Sequence, residues 1–129
     1  MQGRTVEKDL TLPDPFIEAM RSLEMLRQQQ LPEKGEVKRY YTSLNNVIRR
    51  FIVRKMGYST MEKTNEEVLL QLKQTALPHE QVLQLAQVLK MSDAVKFAKY
   101  VPGAEDNEQS FKTTETTVQS LNNLQRSAV

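Results

Sequence analysis

The chain has one histidine, His79, and it follows Pro78 where a helix is expected to begin, a position that is normally open to solvent. A hydrolytic triad needs a nucleophile, a base and an orienting acid in contact, and a zinc site needs several converging nitrogen or sulfur ligands. One histidine and no cysteine supply neither. The adjacent carboxylates Glu66 and Glu67 could in principle share acid–base work. Neighbours on a helix point about 100° apart, however, and acidic residues are favoured electrostatically in a first turn. No stretch resembles GxxxxGK[ST] or GxGxxG, so no phosphate-cradling loop is present. No catalytic residue, cofactor-binding residue or metal ligand is expected.

The remaining chemistry lies in charge and aromatic rings. Between residues 33 and 63, Lys34, Lys38, Arg39, Arg49, Arg50, Arg54, Lys55 and Lys63 outnumber Glu33, Glu36 and Glu62. A basic helix of this kind can meet phosphates in a nucleic-acid groove. Against that, the formal net charge is only +2, too small for a strong counterion-release term. Glu33, Glu36, Glu62, Glu66 and Glu67 also lie close enough in sequence to pair with the arginines. Intramolecular pairing or a solvated face is the first reading, and a nucleic-acid-binding domain using the basic face of helix 2, the second expected helix from Val37 to the stop at Gly57, is the alternative. Tyr40, Tyr41 and Phe51 could stack on bases, yet they fall on the same helical stripe as Leu44, Val47 and Ile48, which points to core packing.

The elements that position these residues follow from periodicity. Residues 1–13 read as a flexible lead. Asp14-Pro15 is a helix-start pair, and Phe16, Ala19, Met20, Leu23 and Leu26 form one apolar stripe to about Gln29. Val37, Tyr40, Tyr41, Leu44, Val47, Ile48, Phe51 and Ile52 predict a helix of about five turns closed by Gly57. Ser59 with Glu62 and Thr64 with Glu67 are overlapping capping signals ahead of a third helix from Asn65. Pro78 opens a fourth helix through Val82, Leu85, Ala86 and Leu89, and Ser92 caps a short fifth packed through Val95, Phe97 and Ala98 and stopped by Pro102-Gly103. Phe111, Val118, Leu121 and Leu124 leave a sparse stripe for a sixth. The expected fold is all-α, a compact bundle of five or six helices with a long central helix 2, as a single domain over 14–125 with a disordered tail at 126–129.

Composition agrees with this architecture. A chain of 129 residues with 39% hydrophobic and 26% charged residues fits one globular domain. No apolar run approaches the roughly 20 residues of a membrane-spanning helix, and the absence of cysteine leaves the redox compartment open.

The runs GEVKRYYTSLNNVIRRFIVRKMG, MEKTNEEVLLQL and SDAVKFAKYVPG resemble the cytoplasmic helical domain of BatD-type proteins. These are membrane-anchored proteins of Bacteroidetes gene clusters that also encode MoxR-type ATPases and von Willebrand factor A-domain proteins. The resemblance covers roughly residues 14 to 118. Its matching positions are Tyr41, Leu44, Arg49, Phe51, Gly57, Glu62, Thr64, Glu67, Asp93, Lys96, Phe97, Ala98 and Pro102. Phe51 stands where tyrosine is frequent, and Asn65 where threonine is frequent. The resemblance implies a bacterial domain on the cytoplasmic side of the inner membrane, attached through a transmembrane helix upstream of this chain. Together with the lack of a catalytic constellation it implies a protein partner, either a MoxR-type ATPase or a von Willebrand factor A-domain protein, and no small-molecule substrate is expected. Arg49, Glu62, Asp93 and Lys96 could form an ion-pair network between helices, or they could form a docking surface. Arg49, Arg50, Asp93 and Lys96 are the candidate partner-binding residues.

Overall fold

The computed structural model describes residues 12–127, with side chains described to Leu124. The expected lead therefore falls mostly outside the described residues, as do positions 128 and 129 of the expected tail. Five α-helices make up the described chain: α1 (Pro15–Gln29), α2 (Val37–Phe51), α3 (Asn65–Lys73), α4 (His79–Ala98) and α5 (Ala104–Ser127). A single 3₁₀ turn (Pro32–Lys34) joins the first two, and α2 runs on through a π-helical turn (Ile52–Met56). No strand occurs among the described residues.

Local chemistry explains most of the boundaries. The Asp14 carboxylate accepts from the backbone N–H groups of Phe16 and Ile17, at 3.0 and 3.2 Å, with Pro15 in the first helical position. Gly57 ends the π turn at φ 76°, and a Cβ there would meet nothing, so glycine is favoured by its backbone angle and not by crowding. Thr64 and Glu67 form the full reciprocal capping box: Glu67 N–H donates to Thr64 Oγ1 at 3.1 Å, and Thr64 N–H to Glu67 Oε1 at 2.8 Å.

The expected fourth and fifth helices are one. Ser92 is buried in the middle of α4, and no break precedes it. It occupies the same stripe as Val88, Leu89 and Val95, and burial of that stripe along α2 outweighs the capping preference of serine. A stop comes only at Lys99, in the left-handed region at φ 54°, where Tyr100 N–H donates to the Ala94 carbonyl at 3.1 Å. Phe97 is the second correction. It is expected to pack this segment together with Val95 and Ala98, but it lies off the stripe and is 74% exposed, and Ala98 beside it is exposed too.

Helix α2 packs on α1, α4 and α5, and α3 lies against α4. The core divides along α2. Its first half places Tyr40, Tyr41 and Leu44 with Leu23, Leu26, Val95 and Phe111, and its second half places Ile48, Phe51 and Ile52 with Ala19, Val82, Leu85, Val118 and Leu121. The late residues of α1 and α4 thus meet the start of α2, whereas α5 meets it early with early and late with late. This makes α1 and α4 antiparallel to α2, and α5 parallel to it.

α5 enters the core with a polar sequence. Thr113, Thr114 and Thr117 are buried beside Phe111, Val118 and Leu121. The Thr114 hydroxyl donates to the Ser110 carbonyl at 2.9 Å, and the Thr117 hydroxyl to the Thr113 carbonyl at 2.8 Å. Thr114 and Thr117 thereby satisfy their hydroxyls within the helix, and Thr113 Oγ1 accepts from Gln109 Nε2 at 3.3 Å.

Candidate functional site

Arg49 sits in the last turn of α2, just before the π turn, and its guanidinium reaches over the loop that leads to α3. It donates to Asn45 Oδ1 at 2.6 Å, to the carbonyl of Thr60, to the carbonyl of Lys63 at 2.7 Å and to Asn65 Oδ1 at 2.8 Å. The loop answers in kind, since the fully buried Thr60 donates its hydroxyl to the Arg49 carbonyl at 2.9 Å. This carbonyl belongs to the stretch where the ladder changes from α to π pairing, and the threonine adds a partner there. Arg49 and Thr60 together fasten the 57–64 connection onto α2.

Asn65, the first residue of α3, is the hub. Its Oδ1 also accepts from Asn45 Nδ2 at 3.1 Å, and its Nδ2 donates to Asp93 Oδ1 on α4 at 3.1 Å. Three helices therefore meet through one side-chain amide. Burial lowers the Arg49 pKa, and the nearby Asp93 carboxylate opposes that shift without reaching salt-bridge distance. The expected ion-pair network thus takes a different form. Arg49 and Asp93 are joined through amides and backbone carbonyls, and neither Glu62 nor Lys96 forms a salt bridge among the described residues.

A groove of about 500 Å³ opens over this cluster, lined among others by Asn45, Arg49, Lys63, Asn65, Asp93 and Lys96. Two exposed apolar side chains border it, Met61 at 65% and Phe97 at 74% exposure. The Lys96 ammonium lies 5.2 Å from the centroid of the Phe97 ring, within cation–π range. Arg49, Asp93 and Lys96, three of the four candidate residues, converge here. Arg50 does not. It faces away from the groove and pairs with Glu18 of α1, Nε to Oε1 at 2.7 Å and Nη2 to Oε2 at 3.1 Å.

Arg54 joins the same carboxylate, with Nη1 3.0 Å from Glu18 Oε2, while its Nη2 donates to the Pro13 carbonyl at 2.8 Å. The hydrogen bond from Arg50 is the main influence holding the Glu18 pKa below its ordinary value, with Arg54 adding to it against the effect of burial. The acid that answers these arginines is therefore Glu18, not one of the glutamates nearby in sequence. Of those, only Glu36 forms a salt bridge among the described residues, with Arg39 at 3.3 Å.

A second polar cluster stands at the other end of α2. Tyr41 donates its hydroxyl to Asn107 Oδ1 at 2.9 Å and shares a 3.2 Å hydrogen bond with Ser110, and Tyr40 donates to the Asn107 carbonyl at 3.1 Å. Their rings meet edge to face with centroids 5.5 Å apart. Burial raises the pKa of both. They are core residues with paired hydroxyls, not a stacking platform.

His79 is exposed at the first position of α4. Among the described residues no group of three or more histidines and carboxylates converges as metal ligands, and no helix is long and apolar enough to cross a membrane. No family model, curated protein or solved structure matches the chain.

Sequence reasoning named Arg49, Asp93 and Lys96 but missed Asn65 as the connector of the first two and Met61 as a border of the groove. The signal for Asn65 was weak, because an asparagine after a capping threonine is ordinary. For Phe97 a signal existed: it is two residues beyond Val95 and so about 200° around the helix from the buried stripe.

Proposed function

We propose that this domain is a non-enzymatic protein-interaction module and that the groove between α2, α3 and α4 receives the partner. The observation that carries the reading is the convergence of Arg49, Asp93 and Lys96 with the exposed Phe97 and Met61 on one concavity. Exposed apolar side chains beside charged groups are the usual makings of a protein-binding patch. The amide-linked floor adds rigidity, which limits the ordering cost of binding.

The BatD-type resemblance supplies the setting. The module would stand on the cytoplasmic side of a bacterial inner membrane, tethered through a segment outside this chain, and would hold a MoxR-type ATPase or a von Willebrand factor A-domain protein. A nucleic-acid role has less support, because Arg39, Arg50 and Arg54 are paired with carboxylates and four Arg49 N–H groups are donated internally.

The test is retention of purified candidate partners on the immobilised domain. Phe97→Ser and Lys96→Glu are expected to abolish retention without changing the helical circular-dichroism signal, while Arg50→Glu leaves retention in place. Retention of neither candidate, or duplex DNA binding that collapses between about 50 and 200 mM salt, would overturn the reading.

A further inference from the structure

The lining of the groove says more about its occupant than that it is a protein. Three cations face it, Arg49, Lys63 and Lys96, against one carboxylate, Asp93. That carboxylate is already engaged by the Asn65 amide. Arg49 donates four of its five N–H groups inward, all to neutral acceptors, and forms no salt bridge among the described residues. The half-buried guanidinium therefore carries a charge that no carboxylate contacts directly; burial disfavours that charge, and Asp93 offsets the effect only in part, from a distance. An incoming carboxylate would relieve this imbalance. Its attraction would be stronger than at an open surface, because the cation is partly withdrawn from water.

The apolar component is placed to act with the charges. Because the Lys96 ammonium lies 5.2 Å from the Phe97 ring centroid, a carboxylate that reaches Lys96 brings its neighbouring side chain onto that ring. Met61 provides a second exposed apolar surface along the groove. A volume of about 500 Å³ suits a few side chains of a peptide segment. A phosphate backbone is a poorer fit, since it asks for a continuous run of cations and makes no use of exposed phenyl and thioether groups.

From this we infer that the groove takes an acidic peptide segment of a partner protein, with carboxylates flanking an aromatic or aliphatic anchor. Lys63 and Lys96 receive the carboxylates, with Arg49 adding its charge and its one remaining N–H, and Phe97 and Met61 receive the anchor. The inference rests on the interaction-module reading and narrows it to a ligand chemistry.

The experiment selects a phage-displayed library of short random peptides on the immobilised domain, then measures a synthetic copy of the enriched sequence by fluorescence anisotropy. Enriched peptides are expected to combine aspartate or glutamate with a leucine, phenylalanine or similar side chain. Their affinity should fall about tenfold or more for Lys96→Glu and for Phe97→Ser, and less for Lys96→Gln. Lys90→Glu, elsewhere on α4, should leave it unchanged. Raising salt should weaken the charge contribution, as expected for contacts at an open rim. Circular dichroism confirms that each variant is folded.

Enrichment of neutral or basic peptides, failure to enrich any sequence, or binding indifferent to both Lys96→Glu and Phe97→Ser overturns the inference. So does displacement of the peptide by duplex or single-stranded DNA at matched charge. The two proposals fail separately: retention of a purified partner through Phe97 without acidic-peptide binding removes only the ligand chemistry. Acidic-peptide binding without retention of either candidate removes only the named partners.

Discussion

Replacing Arg49 by alanine removes four hydrogen bonds donated by a charged group. Each such bond is worth about 1.5–3 kcal/mol when judged alone. The sum overstates the loss, because folding has already stripped part of the hydration from the guanidinium, as the lowered pKa of Arg49 indicates. What decides the magnitude is the set of acceptors left behind. Asn65 Oδ1 keeps its bond from Asn45. The carbonyl of Thr60 belongs to a residue with 0% exposure, yet it still accepts the turn bond from Lys63 N–H at 3.0 Å. The Lys63 carbonyl is freer to meet water. Asn45 Oδ1 is the acceptor left without another partner among the described residues; that strong loss and the two partial ones, at Thr60 and Lys63, give about 3 kcal/mol for Arg49→Ala, and about 2 kcal/mol for Arg49→Lys, whose ammonium reaches fewer of the acceptors. Urea unfolding followed by circular dichroism would show this as a midpoint lower by roughly 2 M at an unchanged slope of about 1.5 kcal/mol/M. Arg50→Ala is the control: its ion pair with Glu18 is 58% exposed on the arginine side and should cost about 0–1 kcal/mol. A folded Arg49→Ala protein within about 1 kcal/mol of the parent would refute the clasp assigned to this residue.

Four further outcomes are expected. Thr64→Ala opens the capping box and should cost about 0.5–2 kcal/mol in the same assay. Phe51→Ala empties a site that is 2% exposed and should cost about 3–5 kcal/mol. Tyr40 and Tyr41 have pKa values raised by burial, so their stabilising contribution is complete below the ordinary tyrosine value near 10 and is lost as the pH rises above it; alkaline unfolding should flatten in a Tyr40→Phe, Tyr41→Phe variant. Glu18 has a lowered pKa, so its contribution is present above the ordinary carboxylate value of 4.5 and disappears as the pH falls through the folded value. Glu18→Gln should accordingly weaken the fold by about 1 kcal/mol at neutral pH and by little in acid, read from thermal melts across the range.

Much of the bundle was legible because its signals are local. The stripe from Val37 to Ile52, the left-handed Gly57 and the Thr64–Glu67 box all depend on spacings within a turn or two, and all are in place. Ser92 misled because its capping preference is a local property, while its burial in α4 is decided by α2, far away in sequence. The arginine pairing misled for the same reason, since Arg50 meets a glutamate 32 positions earlier. The site was half legible. Charged residues announce themselves, but the amide of Asn65 acquires its role only when Asn45, Arg49 and Asp93 arrive from two other helices.

The threonine face of α5 carries one more consequence. A helix held by leucines exposes an adhesive surface whenever it fluctuates away from its neighbours, but Thr113, Thr114 and Thr117 present small methyls beside hydroxyls that water can also bind. Excursions of this helix should therefore expose a less adhesive surface than those of α2. Its backbone amides should exchange with solvent through partial openings before those of α2.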